Sequence, residues 1–241
     1  MKDDELIGGQ FYHIYNCGIN GENLFRESEN YEHFLDLIDK YVLPVSEVFA
    51  WVLMPNHFHI LVRIKENVAY KYSIKDLEKA GEAWFDDHKW ETIDLSACVA
   101  PDSVNMIHDV SWNDNVSIND SVKFPVPHLH FSHLCNAYSK YYNKRYTRHG
   151  GLFERRFKRK HIDNEQYLKR AILYIHNNPV HHGFCSHILE YPWSSYLTCL
   201  SVKPTRLQRD SVIGWFDSEA NFKDMHNEKI DIEIMDKYLE L

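Results

Sequence analysis

Two hydrophobic periods alternate along the chain, and their order sketches a fold. Residues 9 to 20, GQFYHIYNCGIN, are rich in aromatic and β-branched side chains and predict a first strand. The period then lengthens. Tyr31, Phe34, Leu35, Ile38, Tyr41 and Val42 share one helical face, with Ser28 as the expected cap and Pro44 as the stop. Residues 45 to 54, VSEVFAWVLM, are apolar on both faces and predict a central strand, and Pro55-Asn56 signals a turn. Residues 57 to 65 alternate cleanly. Phe58, Ile60, Val62 and Ile64 form an apolar row, opposite His57, His59, Leu61 and Arg63.

Residues 66 to about 127 break this rhythm. They hold twelve acids against five bases and predict an acidic insertion, with helix near 73 to 84 and a loop-like second half. Order returns with a helix from about 128 to 146, a turn at His149-Gly150-Gly151 and a strand, LFERRFKRKHI, ending at Ile162. Asp163 and Gln166 suggest a capping box for a further helix with a stripe at Leu168, Ala171, Ile172 and Ile175, which Pro179 should end. Without the insertion the elements run strand, helix, strand, strand, helix, strand, helix. This predicts an α+β fold: a ferredoxin-like, split βαβ antiparallel sheet with helices on one face. The His57/His59 row would lie on the face left free. The expected domains are 1–200, carrying the insertion, and an acidic, helical C-terminal extension over 201–241.

Composition adds three constraints. No apolar run reaches the 18 residues of a membrane span, and no secretory signal is visible. Five scattered cysteines without CxxC spacing suggest reduced thiols and a cytoplasmic setting. The net charge of −8 is uneven, because residues 140 to 170 carry eleven Lys and Arg against three Asp and Glu. The cations Lys144, Arg145, Arg148, Arg155, Arg156, Lys158, Arg159 and Lys160 are interleaved with Tyr and Phe, a mixture suited to single-stranded or hairpin nucleic acid. The plain alternative is a solvated charged strand.

The histidines carry the candidate chemistry. His57 and His59, at i and i+2 of a strand, project side by side and can offer two imidazole nitrogens to one divalent ion, or can be two structural histidines. Tyr174 and Asn178 lie one turn apart on a helix, presenting a hydroxyl nucleophile and an amide oxygen. Tyr167, seven residues earlier, is the rival nucleophile. A His/His/carboxylate site using Asp163 or Glu154 would instead suit a hydrolase or oxygenase.

Several motifs together resemble a known family. Met54-Pro55-Asn56-His57-Phe58-His59-Ile60-Leu61-Val62 resembles the signature of single-tyrosine HUH transposases. Gly151-Leu152-Phe153 with Arg156-Phe157, then Tyr174-Ile175-His176-Asn177-Asn178-Pro179-Val180, then Tyr191-Pro192-Trp193-Ser194-Ser195-Tyr196, follow in the order of the branch associated with repetitive extragenic palindromes. The resemblance covers about residues 9 to 65 and 128 to 196. It implies a single-stranded DNA endonuclease and strand transferase acting near hairpins through a 5′-phosphotyrosine, as a monomer or homodimer. It also implies Tyr174 as nucleophile and His57, His59 and Asn178 as ligands of Mg²⁺ or Mn²⁺. The alternative is a ferredoxin-like protein that binds nucleic-acid hairpins without cutting them.

Overall fold

The computed structural model describes residues 5–71, 91–94 and 124–228. Its elements run β1 (Phe11–Cys17), α1 (Ser28–Tyr41), β2 (Ser46–Met54), β3 (His57–Ile64), β4 (Val68–Lys71), β5 (Glu91–Asp94), α2 (Pro127–Arg145), β6 (Lys158–Ile162), α3 (Glu165–His181), α4 (Tyr196–Cys199), α5 (Arg209–Trp215) and α6 (Glu219–Asn227). Of the described residues, 5–64 and 127–228 belong to one compact unit, and 65–71, 91–94 and 124–126 to a second. In the second unit β4 and β5 pair antiparallel, Val68 opposite Asp94. The helix expected near 73 to 84 and the loop-like stretch after it lie outside the described residues.

The main sheet has the order β2-β3-β1-β6, antiparallel throughout. That is the split βαβ arrangement predicted for an α+β chain. β1 sits between β3 and β6, so each βαβ crossover skips over one strand. α1 and α2 pack together on the face of the apolar row, where the Phe34 ring meets Phe58 at 5.0 Å and the Tyr138 ring at 5.0 Å. These are the two helices of the split unit, and they share one face as expected.

The opposite face is not open. α3 lies across it, and residues 171 to 179 of α3 are buried on every side. A stripe of four apolar residues understated this, because a helix between a sheet and further helices needs no solvent face. Trp215 of α5 covers the far end of that face, its ring 5.7 Å from Phe11 and 5.0 Å from Phe49. Residues 201–228 therefore belong to the same compact unit.

β2 is apolar on both faces for a different reason from the one expected. It ends the sheet rather than lying in its middle, but its outer edge is covered. Leu53 N–H donates to Trp193 O and Ser195 N–H to Trp51 O, each at 2.9 Å, and Gln208 N–H donates to Val48 O at 2.9 Å. The Tyr191 hydroxyl adds a bond to Leu53 O at 2.8 Å. The YPWSSY segment thus satisfies an edge that would otherwise expose unpaired backbone groups.

Local punctuation differs from the expectation in four places. Glu27, not Ser28, caps α1, exchanging side-chain bonds with Asn30. Asn164 caps α3 by accepting from Tyr167 N–H at 2.8 Å, in place of the Asp163/Gln166 box. α3 continues past Pro179 to His181, since a proline near a helix end forfeits only one bond. The last strand is short, so Arg155 and Arg156 precede it in an exposed, irregular segment.

Candidate active site

The strand register brings the predicted residues together. On one face of the sheet β3 presents His57 and His59, and β1 presents Cys17, Tyr15 and His13 as their neighbours, with Tyr15 directly opposite His59. From α3 above, the Tyr174 ring stands edge-on to His59 at 5.6 Å and to His13 at 6.2 Å. One turn on, Asn178 Oδ1 lies 3.0 Å from His57 Nε2. Tyr174 is 2% exposed and Asn178 fully buried. Tyr167 lies two turns back along α3, roughly 10 Å along the axis.

His57 is positioned through its own turn. Its Nδ1 lies 2.8 Å from Asn56 Oδ1. The turn is gripped by the loop after β1, where Leu24 N–H and Phe25 N–H both donate to Pro55 O and Gly18 N–H donates to Asn56 O. Gly18 has to be glycine because this loop folds back on it, so that a Cβ there would sit 1.9 Å from the Glu22 carbonyl oxygen.

α3 is positioned by a buried polar chain. His226 Nδ1–H donates to Phe222 O at 2.6 Å, which leaves its Nε2 to accept from His176 Nδ1–H at 2.9 Å. His176 Nε2 then accepts from the Ser195 hydroxyl at 2.8 Å, and Ser195 Oγ accepts from Trp51 N–H at 2.8 Å. Every proton in this chain has one consistent place when both imidazoles are neutral. Burial keeps them so, holding His226 down to about 4 and His176 well below the usual histidine range. α6, α3 and β2 are tied through it, two residues from Tyr174 and from Asn178.

The site histidines are neutral as well. Burial lowers His57 to about 4, with Asn178 opposing and His182 assisting, and lowers His59 well below its ordinary value. Neutral imidazoles offer lone pairs, the form a divalent ion requires. The donor set fits such an ion. If His57 Nδ1–H donates to Asn56, its Nε2 lone pair faces the acceptor Asn178 Oδ1 with no proton between them, while Asn178 Nδ2 is buried without a partner. Two facing acceptors repel unless something positive sits between them or the amide turns. Among the described residues no group of three His, Cys, Asp or Glu side chains is arranged to hold a metal ion. Asp163 and Glu154, the carboxylates that a hydrolase or oxygenase reading requires, belong to no such group, and the amide oxygen beside His57, that of Asn178, is a group that could serve as a third ligand.

The expected DNA-binding cations divide into four groups. Arg145 pairs with Glu27 at 2.8 Å and also with Glu29, and Arg148 pairs with Glu22 while donating to Gly151 O at 2.7 Å. These two clamp the protein to itself. Lys158 and Lys160 lie opposite Tyr15 and His13 on β1, hence on the site face, and Lys158 Nζ rests 5.7 Å from the centre of the Tyr15 ring. Arg159 points to the other face, over Phe157. Lys144, Arg155 and Arg156 are exposed.

Two residues escaped the sequence reading. His13 is fully buried, its Nε2 2.9 Å from His59 Nδ1. His182, just past the end of α3, sets its ring 5.1 Å from His57. The i, i+2 pair was visible within one strand, whereas both of these depend on packing between distant segments.

Similarity to known proteins supports the resemblance read from the motifs. The chain is 24% identical over 127 residues, 51% of its length, to a Haemophilus influenzae protein carrying the name of a REP-associated tyrosine transposase, of which 68% is covered. Its fold is similar to the solved structure of a REP-associated tyrosine transposase bound to a REP hairpin. The TM-score is 0.52 and the identity 16%, over 85% of this chain and 88% of that one. No protein-family model matches the chain.

Proposed function

We propose that the protein is a metal-dependent, transposase-like enzyme that cuts and rejoins single-stranded DNA near hairpins through a phosphotyrosine link to Tyr174. The observation that carries the reading is the convergence of Tyr174, His57, His59 and Asn178 on one sheet face from elements far apart in the chain. A hairpin binder without chemistry has no use for that convergence. The similarity to a REP-associated transposase solved with a REP hairpin supports hairpin DNA as the partner.

The Tyr174 oxygen attacks a backbone phosphorus, the bond to the 3′-oxygen breaks, and the hydroxyl proton is released as the leaving oxygen gains one. The products are a 5′-phosphotyrosine and a free 3′-OH, and the reverse attack rejoins strands without a nucleotide cofactor, because the bond energy is retained. His57 Nε2, His59 and Asn178 Oδ1 would hold the divalent cation, Mg²⁺ or Mn²⁺, which when bound polarises the phosphate and offsets developing charge. Burial by α3 keeps the imidazoles neutral and water scarce around the tyrosine. Lys158 and Lys160, on the same face, draw the phosphate backbone toward it.

The test is incubation with single-stranded hairpins and Mg²⁺ or Mn²⁺. A covalent protein–DNA adduct that forms only with the metal is expected. Tight hairpin binding with no adduct would leave a non-catalytic binder.

A further inference from the structure

We infer that His13 is a positioning residue that fixes the proton of His59 and so makes it a ligand; this rests on the metal-dependent reading above. His13 is on β1, diagonal to His59 across the β1–β3 pair, since its direct partner is Leu61 and that of His59 is Tyr15. Nε2 of His13 and Nδ1 of His59 are 2.9 Å apart, with ring planes 21° from parallel. Tyr15 stacks on both rings, at 5.0 Å from His13 and 5.7 Å from His59, so neither can rotate away without unstacking.

Two neutral imidazoles in this contact share one proton, and it has two places. On His13 Nε2, it donates to His59 Nδ1, and His59 must then carry its own proton on Nε2. That nitrogen has no lone pair left and cannot bind a cation. On His59 Nδ1, it donates to His13 Nε2, and His59 Nε2 is a ligand. His13 then carries its remaining proton on Nδ1, a buried atom without a hydrogen-bond partner. A ligating histidine ordinarily gives its second N–H to a carboxylate, a carbonyl or water. His57 has the Asn56 side-chain oxygen for this purpose. His59 has only the imidazole of His13 among its described hydrogen-bond partners, so His13 supplies the acceptor.

Two variants separate this role from packing. His13→Phe keeps a flat ring between Tyr15 and Tyr174 but removes the acceptor. His13→Gln restores an amide oxygen at similar reach. Mn²⁺ affinity measured by titration calorimetry on the DNA-free chain should fall roughly 10–100-fold in His13→Phe. It should recover in His13→Gln, with the melting temperature of the metal-free protein separating either effect from loss of fold. Long-range ¹⁵N–¹H spectra of the Mg²⁺-loaded wild type should place the His59 proton on Nδ1, an observation that needs no variant to fold. Wild-type affinity in His13→Phe, or a His59 proton on Nε2 in the loaded protein, overturns the role of His13 while leaving the metal site standing. Absence of Mn²⁺ binding by the wild type overturns the metal site and the role of His13 together.

Discussion

His57 Nε2 and Asn178 Oδ1 face each other across 3.0 Å although 121 residues separate them in the chain. One belongs to a strand held by the turn at Pro55, the other to a helix tied down by His176. Metal binding should therefore depend on both. Asn178→Ala should lose metal-dependent adduct formation, and Asn178→Asp, which keeps an oxygen in place, should recover part of it. Adduct yield against Mn²⁺ concentration reads this directly, and undiminished yield in Asn178→Ala would remove the amide from the ligand set.

His57→Ala and His59→Ala should both abolish cutting, but they should differ in stability. His59 is 3% exposed under α3, whereas His57 is half-buried. Truncating His59 should cost on the order of 0.5–3 kcal/mol, the span of common destabilising substitutions, with His57→Ala below it. Phe58→Ala, which empties the contact with Phe34, should cost more than either, about 3–5 kcal/mol. Urea unfolding of the three variants gives the ranking.

Hairpin affinity should follow the face of β6. Charge reversal at Lys158 or Lys160 should weaken binding and flatten its dependence on salt, and Arg159→Glu should do so less, because Arg159 points to the α1/α2 face. Reversal at Arg145 or Arg148 should instead lower the melting temperature, since their guanidinia hold Glu27, Glu29 and Glu22. Equal losses of affinity at Lys158 and Arg159 would contradict this division.

Stability should fall with acid through the His176–His226 pair. Burial depresses His226 from the ordinary 6.5 to about 4, so between those values the unfolded chain binds the proton and the folded chain does not. Its contribution is complete above pH 6.5 and is lost as pH drops toward 4, amounting to ~3 kcal/mol for a shift of this size. His226→Phe should flatten that part of the pH–stability curve. It should also lower stability at pH 7 by about 1–3 kcal/mol, because the His176 N–H loses its buried acceptor. Denaturant midpoints from pH 4 to pH 8 measure both.

Much of this was legible in the sequence. The two-residue period of β3 separates Phe58 from His57 and His59 without any tertiary information, and the order of elements limits the topology to few choices. What was hidden depends on contacts between distant segments. His13 reads as one more residue of an aromatic strand until the β1–β3 register sets it beside His59. The covered edge of β2 depends on backbone groups of 193 to 208 and on the hydroxyls of Tyr191 and Ser195, and nothing in the YPWSSY pattern by itself shows which edge it will meet. α3 was read from its most apolar stripe, yet its buried faces include His176, Asn177 and Asn178, polar residues whose burial only a partner network permits.

The central claim is that Tyr174 is the nucleophile. Tyr174 stands beside His59 and one turn from Asn178, whereas Tyr167 lies two turns away and has Ala171 at the corresponding position, a side chain with no atom to coordinate. Peptide mapping of the adduct trapped on a single-stranded hairpin tests this most directly. The account predicts a phosphotyrosyl link in the peptide bearing Tyr174, and complete loss of the adduct in Tyr174→Phe with hairpin affinity and melting temperature retained. A link at Tyr167, or an adduct that persists in Tyr174→Phe, would contradict it.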